Sequence, residues 1–523
     1  MRRWFAAAAL ACGAALAAQT SDAPDLIATH HTIRVRGRTI GYTARAGRLA
    51  IRANETGEVH GWVFFVAYTA DQPAGAAPRP LTFLWNGGPG ANAELVHLIG
   101  FGPRRILAPD SATPTALAVR DNEFTWLDAT DLVFVDPVGT GYARAAKPEF
   151  AKEFYGTLGD IAAITEFVRL YLTRFEAWQR PLFVGGESFG VWRAAGVAEG
   201  LEKRGVPVAG EILISGGIPV LASTPYEMKA ALFLPTRTAA ALYHKKLAPA
   251  LQADPQAGWT NSAKWAREVY GPALQRLDSL GSTERASIRN GLAIFSGLDT
   301  ALIDPKTLVI RRSDFGRQLL ADQKLVLGRF DTRIARPAGE YVSTALDEAR
   351  DALTVRYLRT ELGYRTDLAY LGAEAGYDPV VVPRALSAGE AWEYDQNAPP
   401  SLDSAAAKAA AAAYAARAAR RLADDGPPNG AEPWLRRAMQ IDPNLRAFVA
   451  VGLYDSLNSC AWNDWLITTL DAPLRANITA KCYVGGHMMY EDADARRRLK
   501  GDVAAFVQPA CGSAWSAGAS FLW

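Results

Sequence analysis

The chain has 523 residues, 49% hydrophobic and 21% charged, with a formal net charge of +2. That length exceeds one small core and implies one large domain with an insertion, or two domains. Near-neutral charge without a Lys/Arg run gives no electrostatic basis for binding nucleic acid or an acidic partner. No zinc-type cysteine spacing is present, and nothing in the sequence asks for a metal or another cofactor.

The chain opens on "MRRWFAAAALACGAALAAQ". Arg2 and Arg3 form a basic start, Trp4 to Ala18 is apolar, and small residues follow at a cleavable site. Residues 1–18 read as a secretory signal peptide, so a periplasmic or secreted protein is expected. The apolar run is too short and Ala-rich for a comfortable membrane span. Lipid attachment at Cys12 is the lesser alternative. Removal of the signal leaves Cys460, Cys482 and Cys511. An exported compartment permits one disulfide among them, and the pair is open.

Residues 28–70 are rich in β-branched and aromatic residues with Gly and Asn between, which predicts an antiparallel opening. Short, nearly continuous apolar runs follow: "LTFLWN" (81–86), "DLVFVD" (131–136), "PLFVGG" (181–186), "EILISGG" (211–217), "RAFVAVG" (446–452) and "AKCYVGG" (480–486). Such runs fit strands buried on both faces of a mainly parallel sheet. Helical text follows several of them, notably at 158–177 and 191–203. Strand alternating with helix predicts an α/β fold with a doubly wound sheet. The alternation stops near residue 220 and resumes near 444. The interval 220–443 is mostly helical in pattern, including the Ala-rich run 402–426. It reads as a helical cap inserted into a catalytic domain formed by 28–219 and 444–510, and placed over the strand ends where open sheets bind ligands.

The stretch "VGGESFG" gives G-x-S-x-G between a strand and a helix. Small residues at 186 and 190 let strand and helix approach across a sharp turn, which exposes Ser188 as a nucleophile. A plain N-cap serine is the other reading. A nucleophilic serine needs a base. Of the six histidines, His30, His31, His60, His97, His244 and His487, only His487 follows a late strand end. Asp455 lies in the loop of the preceding strand and would orient the imidazole; Asp464 and Asp471 are the competitors. The order Ser188, Asp455, His487 is that of α/β-hydrolases. An oxyanion needs backbone donors from Phe189, after the nucleophile, and from a loop after an early strand. "LWNGGPGAN" (84–92) is such a loop.

Five segments, "WNGGPG", "DPVGTGYAR", "GESFG", "VGLYDSLN" and "GGHMMY", together resemble the serine carboxypeptidases, in the family's order. The likeness runs from about residue 30 to 508 and is similar to that of bacterial exported members. The resemblance implies a mixed, mostly parallel α/β-hydrolase sheet and a triad of Ser188, Asp455 and His487. It implies oxyanion donors at Gly88 and Phe189, a grip on the substrate's terminal carboxylate by Asn86, Gly87 and Glu187, and a leaving-residue pocket lined by Met488. The implied substrates are peptides with a free C-terminal carboxylate. A protonated Glu187 would donate to that carboxylate, and burial near an anion favours protonation. Members of the family tend to favour acidic pH. Here Gly100 stands where many carry a second acid, so the shared proton of an acid pair is absent. Ala91-Asn92 replaces the usual Cys-Ser. The competing functions are an esterase or acyltransferase on the same scaffold and a non-catalytic binding protein.

Overall fold

A computed structural model of the chain describes residues 26–107, 117–221, 225–339, 345–372, 387–397 and 432–508. The expected signal segment with Cys12, the Ala-rich run 402–426 and Cys511 lie outside these residues.

Strand β1 (Ile27–Val35), β2 (Arg38–Arg52) and β3 (Val59–Ala70) form the antiparallel opening. The buried runs become β4 (Leu81–Trp85), then, after a small hairpin of β5 (Arg104–Leu107) and β6 (Ala118–Asp121), β7 (Asp131–Asp136). The two-residue β8 (Arg144–Ala145), β9 (Leu182–Glu187) and β10 (Gly210–Ile214) follow. A second small hairpin, β11 (Leu325–Leu327) with β12 (Ala335–Pro337), sits in the insertion. The chain returns to the sheet with β13 (Arg446–Gly452) and β14 (Ile478–Tyr483). The main sheet runs β1-β2-β3-β7-β4-β9-β10-β13-β14, with β8 on β3. From β7 to β14 every neighbouring pair is parallel.

The strands are apolar on both faces because two cores flank them. Leu81, Phe83, Trp85, Val133, Val135, Val449 and Val451 face one core; Leu84, Leu132, Phe134, Phe448 and Ala450 face the other. This is the period of two that a strand imposes. Each such large side chain, fully buried, contributes on the order of 1.5–3 kcal/mol. Helices α1 (Thr157–Arg174) and α2 (Gly190–Glu202) cover the first face. α1 does so through Ile164, Phe167, Val168, Tyr171 and Leu172, spaced for one helical stripe. The last helix, Ala493–Val507, covers the second face with Leu499, Val503 and Val507.

Residues 225–339 are mainly helical. Their continuation returns to the sheet's helical layer: the helix Trp434–Ile441 lies beside Pro219, whose carbonyl accepts from Leu435 N–H at 3.0 Å. Cys460, which opens the helix Cys460–Thr468, is disulfide-bonded to Cys482 of β14. The bond joins the segments that follow β13 and end β14, the two that carry Asp455 and His487. Among the described residues no helix is long and apolar enough to cross a membrane.

Candidate active site

Ser188 sits immediately after β9, with only Phe189 between it and α2, and has a φ of +58°. A left-handed conformation at a non-glycine residue costs of order 1–3 kcal/mol and persists only where the surroundings impose it. They do so here. Ser188 N–H donates to the Ile214 carbonyl of β10 at 2.9 Å. A Cβ on Gly186 would lie 2.0 Å from the Gly190 carbonyl oxygen, so the turn closes only with glycine at 186. Ser188 is left partly exposed among buried neighbours. The N-terminus of α2 points at it, and that end of a helix favours developing negative charge.

Asp455 is wholly buried, and His487 is 3% exposed. His487 Nδ1 donates to Asp455 Oδ2 at 2.8 Å. The carboxylate is held in turn by Leu457 N–H on Oδ1 and Asn458 Nδ2 on Oδ2, both at 2.8 Å. The imidazole's own backbone is pinned twice: His487 N–H donates to the Phe330 carbonyl at 2.6 Å, and its carbonyl accepts from Ser215 Oγ at 2.5 Å. A Cβ on Gly452 would lie 1.9 Å from the Gly486 carbonyl oxygen, so the end of β13 needs glycine to let the His487 loop approach. Burial alone would lower the His487 pKa. The Asp455 charge and hydrogen bond outweigh it, and the net direction is upward. His487 Nε2 is buried and takes no hydrogen bond from described residues, Ser188 included. Ser188 and His487 are nevertheless anchored to one segment, Ile214 and Ser215 at the end of β10. Hydrogen bonds between a nucleophile and its base often tighten only when substrate binds.

Beside Ser188, Glu187 is 2% exposed at the end of β9. Its Oε2 accepts from Tyr490 Oη at 2.5 Å and from Asn86 Nδ2 at 3.3 Å. Burial pushes the Glu187 carboxyl up to about 7, against the pull of His487 and the Tyr490 hydrogen bond. Asn86 is oriented by Val96 N–H on its Oδ1 at 3.1 Å. Its backbone carbonyl accepts from Arg193 Nη1 at 2.7 Å, and Arg193 pairs with Asp160 at 2.6 Å, both side chains buried.

Gly87 touches the turn at Ser188: a Cβ there would lie 2.5 Å from Phe189 N. Gly88, at φ +95°, is exposed. Neither Gly88 N–H nor Phe189 N–H donates to a partner among the described residues. Met488 is partly exposed next to His487. The insertion supplies walls. The Phe330 ring lies 5.4 Å from that of His487, and Trp392 packs edge-on against Phe189 at 5.2 Å.

The remaining histidines are engaged elsewhere: His30 with Asp71, His31 with Thr29, His60 with Glu153, His97 with Tyr68 and His244 with the Thr332 carbonyl. Asp464 lies on the helix Cys460–Thr468 rather than in a loop, and Asp471 pairs with Arg436. Sequence reasoning assigned no part to Ser215, Asn458 or Tyr490. Asn458 and Tyr490 lie inside the quoted motifs "VGLYDSLN" and "GGHMMY". Ser215 carries no sequence signal, because its part depends on a φ of +50° and a contact made far along the chain.

This sheet, with its turn between β9 and α2, gives the chain the α/β-hydrolase fold. A solved structure of that fold, a prohormone-processing carboxypeptidase KEX1(delta)p from Saccharomyces cerevisiae, superposes with a TM-score of 0.52. It covers 89% of this chain and 91% of that one at 14% identity. Residues 41–194 match the family model described as serine carboxypeptidase. The pheromone-processing carboxypeptidase KEX1 of Paracoccidioides brasiliensis is 29% identical over 150 residues, 28% of this chain and 20% of that protein. Serine carboxypeptidase-like 44 of Arabidopsis thaliana is 32% identical over 114 residues, 21% of this chain and 22% of that protein. Over this part of its length the chain is similar to the serine carboxypeptidases, and it spans about a fifth of the length of the curated relatives it matches. The family match holds Asn86, Gly88, Glu187 and Ser188 and ends before Asp455 and His487.

Proposed function

We propose that the protein is an exported serine-type carboxypeptidase that removes C-terminal amino acids from peptides. Ser188 Oγ attacks the carbonyl of the last peptide bond while His487 Nε2 takes its proton. Asp455 holds the imidazole with Nε2 free and stabilises its charged form. The oxyanion is met by the Gly88 N–H group in the loop after β4 and the Phe189 N–H group at the start of α2. His487 then gives its proton to the departing amine, leaving an acyl-enzyme on Ser188. Water activated by His487 releases the shortened peptide.

The observation that carries this reading is the buried carboxyl directly beside the nucleophile. Glu187 and Asn86 are side chains that a simple esterase mechanism does not need. A neutral carboxyl and an amide form a donor pair suited to an anion, and a C-terminal carboxylate next to the scissile bond is the anion a carboxypeptidase meets. Gly87 lets that pair and the nucleophile turn come together. Export follows from the signal-like residues 1–18.

The test is mass spectrometry of a peptide library after incubation with the mature protein. Ladders shortened one residue at a time from the C-terminus are expected, and they disappear in Ser188→Ala. Internal cleavage, or cleavage of simple esters without any ladder, would contradict the proposal.

A further inference from the structure

Gly100 stands where the resemblance implies a second acid, and the Tyr490 ring lies beside it, with its hydroxyl on Glu187. A Cβ on Gly100 would lie 3.5 Å from Tyr490 Cε2 and 3.2 Å from the Leu95 carbonyl oxygen. The Tyr490 ring is fully buried and packs edge-on against Phe101 at 4.9 Å. Its backbone carbonyl is held by Arg496 Nη1 at 2.8 Å.

The chemistry of the two partners differs. Two carboxyls share one proton along a common hydrogen bond, and either oxygen can hold it. A phenol inside a protein keeps its own proton. Burial, then the neighbouring Glu187, holds Tyr490 well above the ordinary tyrosine range. With Tyr490 Oη and Asn86 Nδ2 both donating to Glu187 Oε2, that oxygen is filled. No described residue donates to Oε1.

We propose that Tyr490 is a positioning residue that replaces the second acid: by filling Oε2 it leaves Oε1 as the seat of the Glu187 proton and presents that proton to the substrate's terminal carboxylate. This rests on the reading of Glu187 as the carboxylate grip. The other ionisable groups acting on Glu187 are His487, which favours its ionised form, and Glu491 and Asp455, which oppose it.

Calorimetric binding to Ser188→Ala tests this, using a blocked dipeptide and its C-terminal amide across a pH series. The Tyr490 hydrogen bond favours ionised Glu187, so its loss keeps Glu187 protonated to higher pH. In Tyr490→Phe the pH midpoint at which the acid ligand is lost should rise by about one unit. On the acidic plateau, where the carboxyl is no longer held, the acid should bind roughly threefold to tenfold more weakly. A midpoint that stays in place, or equal weakening of acid and amide, would overturn the proposal. Should Tyr490→Phe fail to fold, 3-fluorotyrosine incorporated at position 490 keeps the packing and strengthens the donor. The midpoint then moves down, and an unmoved midpoint overturns the proposal. Glu187→Gln in the same background separates the two readings. If it abolishes the midpoint while Tyr490 changes leave it alone, only the positioning role fails. If Glu187→Gln leaves the midpoint in place, the carboxylate grip fails with it.

Discussion

At Glu187 one carboxyl must be neutral for the proposed grip to work, while at His487 one imidazole must be neutral for the proposed base to work. The two requirements pull in opposite directions with pH. Glu187 is raised to about 7 by burial, so it is protonated below that value and ionised above it. His487 is raised above its ordinary value of 6.5, the effect of burial being outweighed by Asp455, so it is charged and idle at low pH. Activity on peptides should therefore lie near neutrality, higher than the acidic range that resemblance alone implies. One unit above 7, only about a tenth of Glu187 would keep its proton. Glu187→Gln replaces the titrating group with a permanent neutral donor. Its kcat/KM for peptides should keep the acidic limb and lose the alkaline one, read from a pH series on one blocked dipeptide. A retained alkaline limb would assign that limb to another group.

Among the elements, α2 does two jobs. Its first turn faces Ser188, and its Arg193 reaches under the early loop to hold the Asn86 carbonyl and Asp160. Removing one member of a buried ion pair leaves the other charge unpaired in a dry place. Arg193→Ala should cost about 3–5 kcal/mol in a denaturant titration. It should also raise KM for peptides, because Asn86 loses its backbone anchor. The double change Arg193→Met with Asp160→Leu should regain most of the stability and leave KM raised. Recovery of both would show that the pair serves stability alone. The insertion contributes in the same indirect way: Phe330 offers its carbonyl to His487 N–H, and its ring flanks the imidazole.

Over the whole molecule, the sheet was legible in the sequence for a physical reason. Strands such as "LTFLW" and "DLVFVD" are buried on both faces, so their apolar runs are unbroken and their ends are marked by Gly, Asp or Asn. β5, β6, β11 and β12 span three or four residues each, too short to show a period, and went unseen. The turn at Ser188 was legible because its geometry demands glycine at fixed offsets. The second layer was not. Ser215, Asn458, Arg193 and Tyr490 act through contacts that join distant parts of the chain, and no local spacing records them. The pair Cys460–Cys482 likewise could not be chosen among three cysteines until β14 and the helix Cys460–Thr468 lay side by side. Gly100 shows the limit best: its missing side chain was visible in the sequence, but the phenol that lies beside it comes from near the other end of the chain.

The central claim is that this α/β-hydrolase selects substrates by gripping a terminal carboxylate beside Ser188. It is tested most directly by measuring kcat/KM for one blocked dipeptide and its C-terminal amide across the same pH series. The free acid should give a bell centred near neutrality, and the amide a far lower rate with an acidic limb only. Equal rates for acid and amide, with the same pH dependence, would contradict the account.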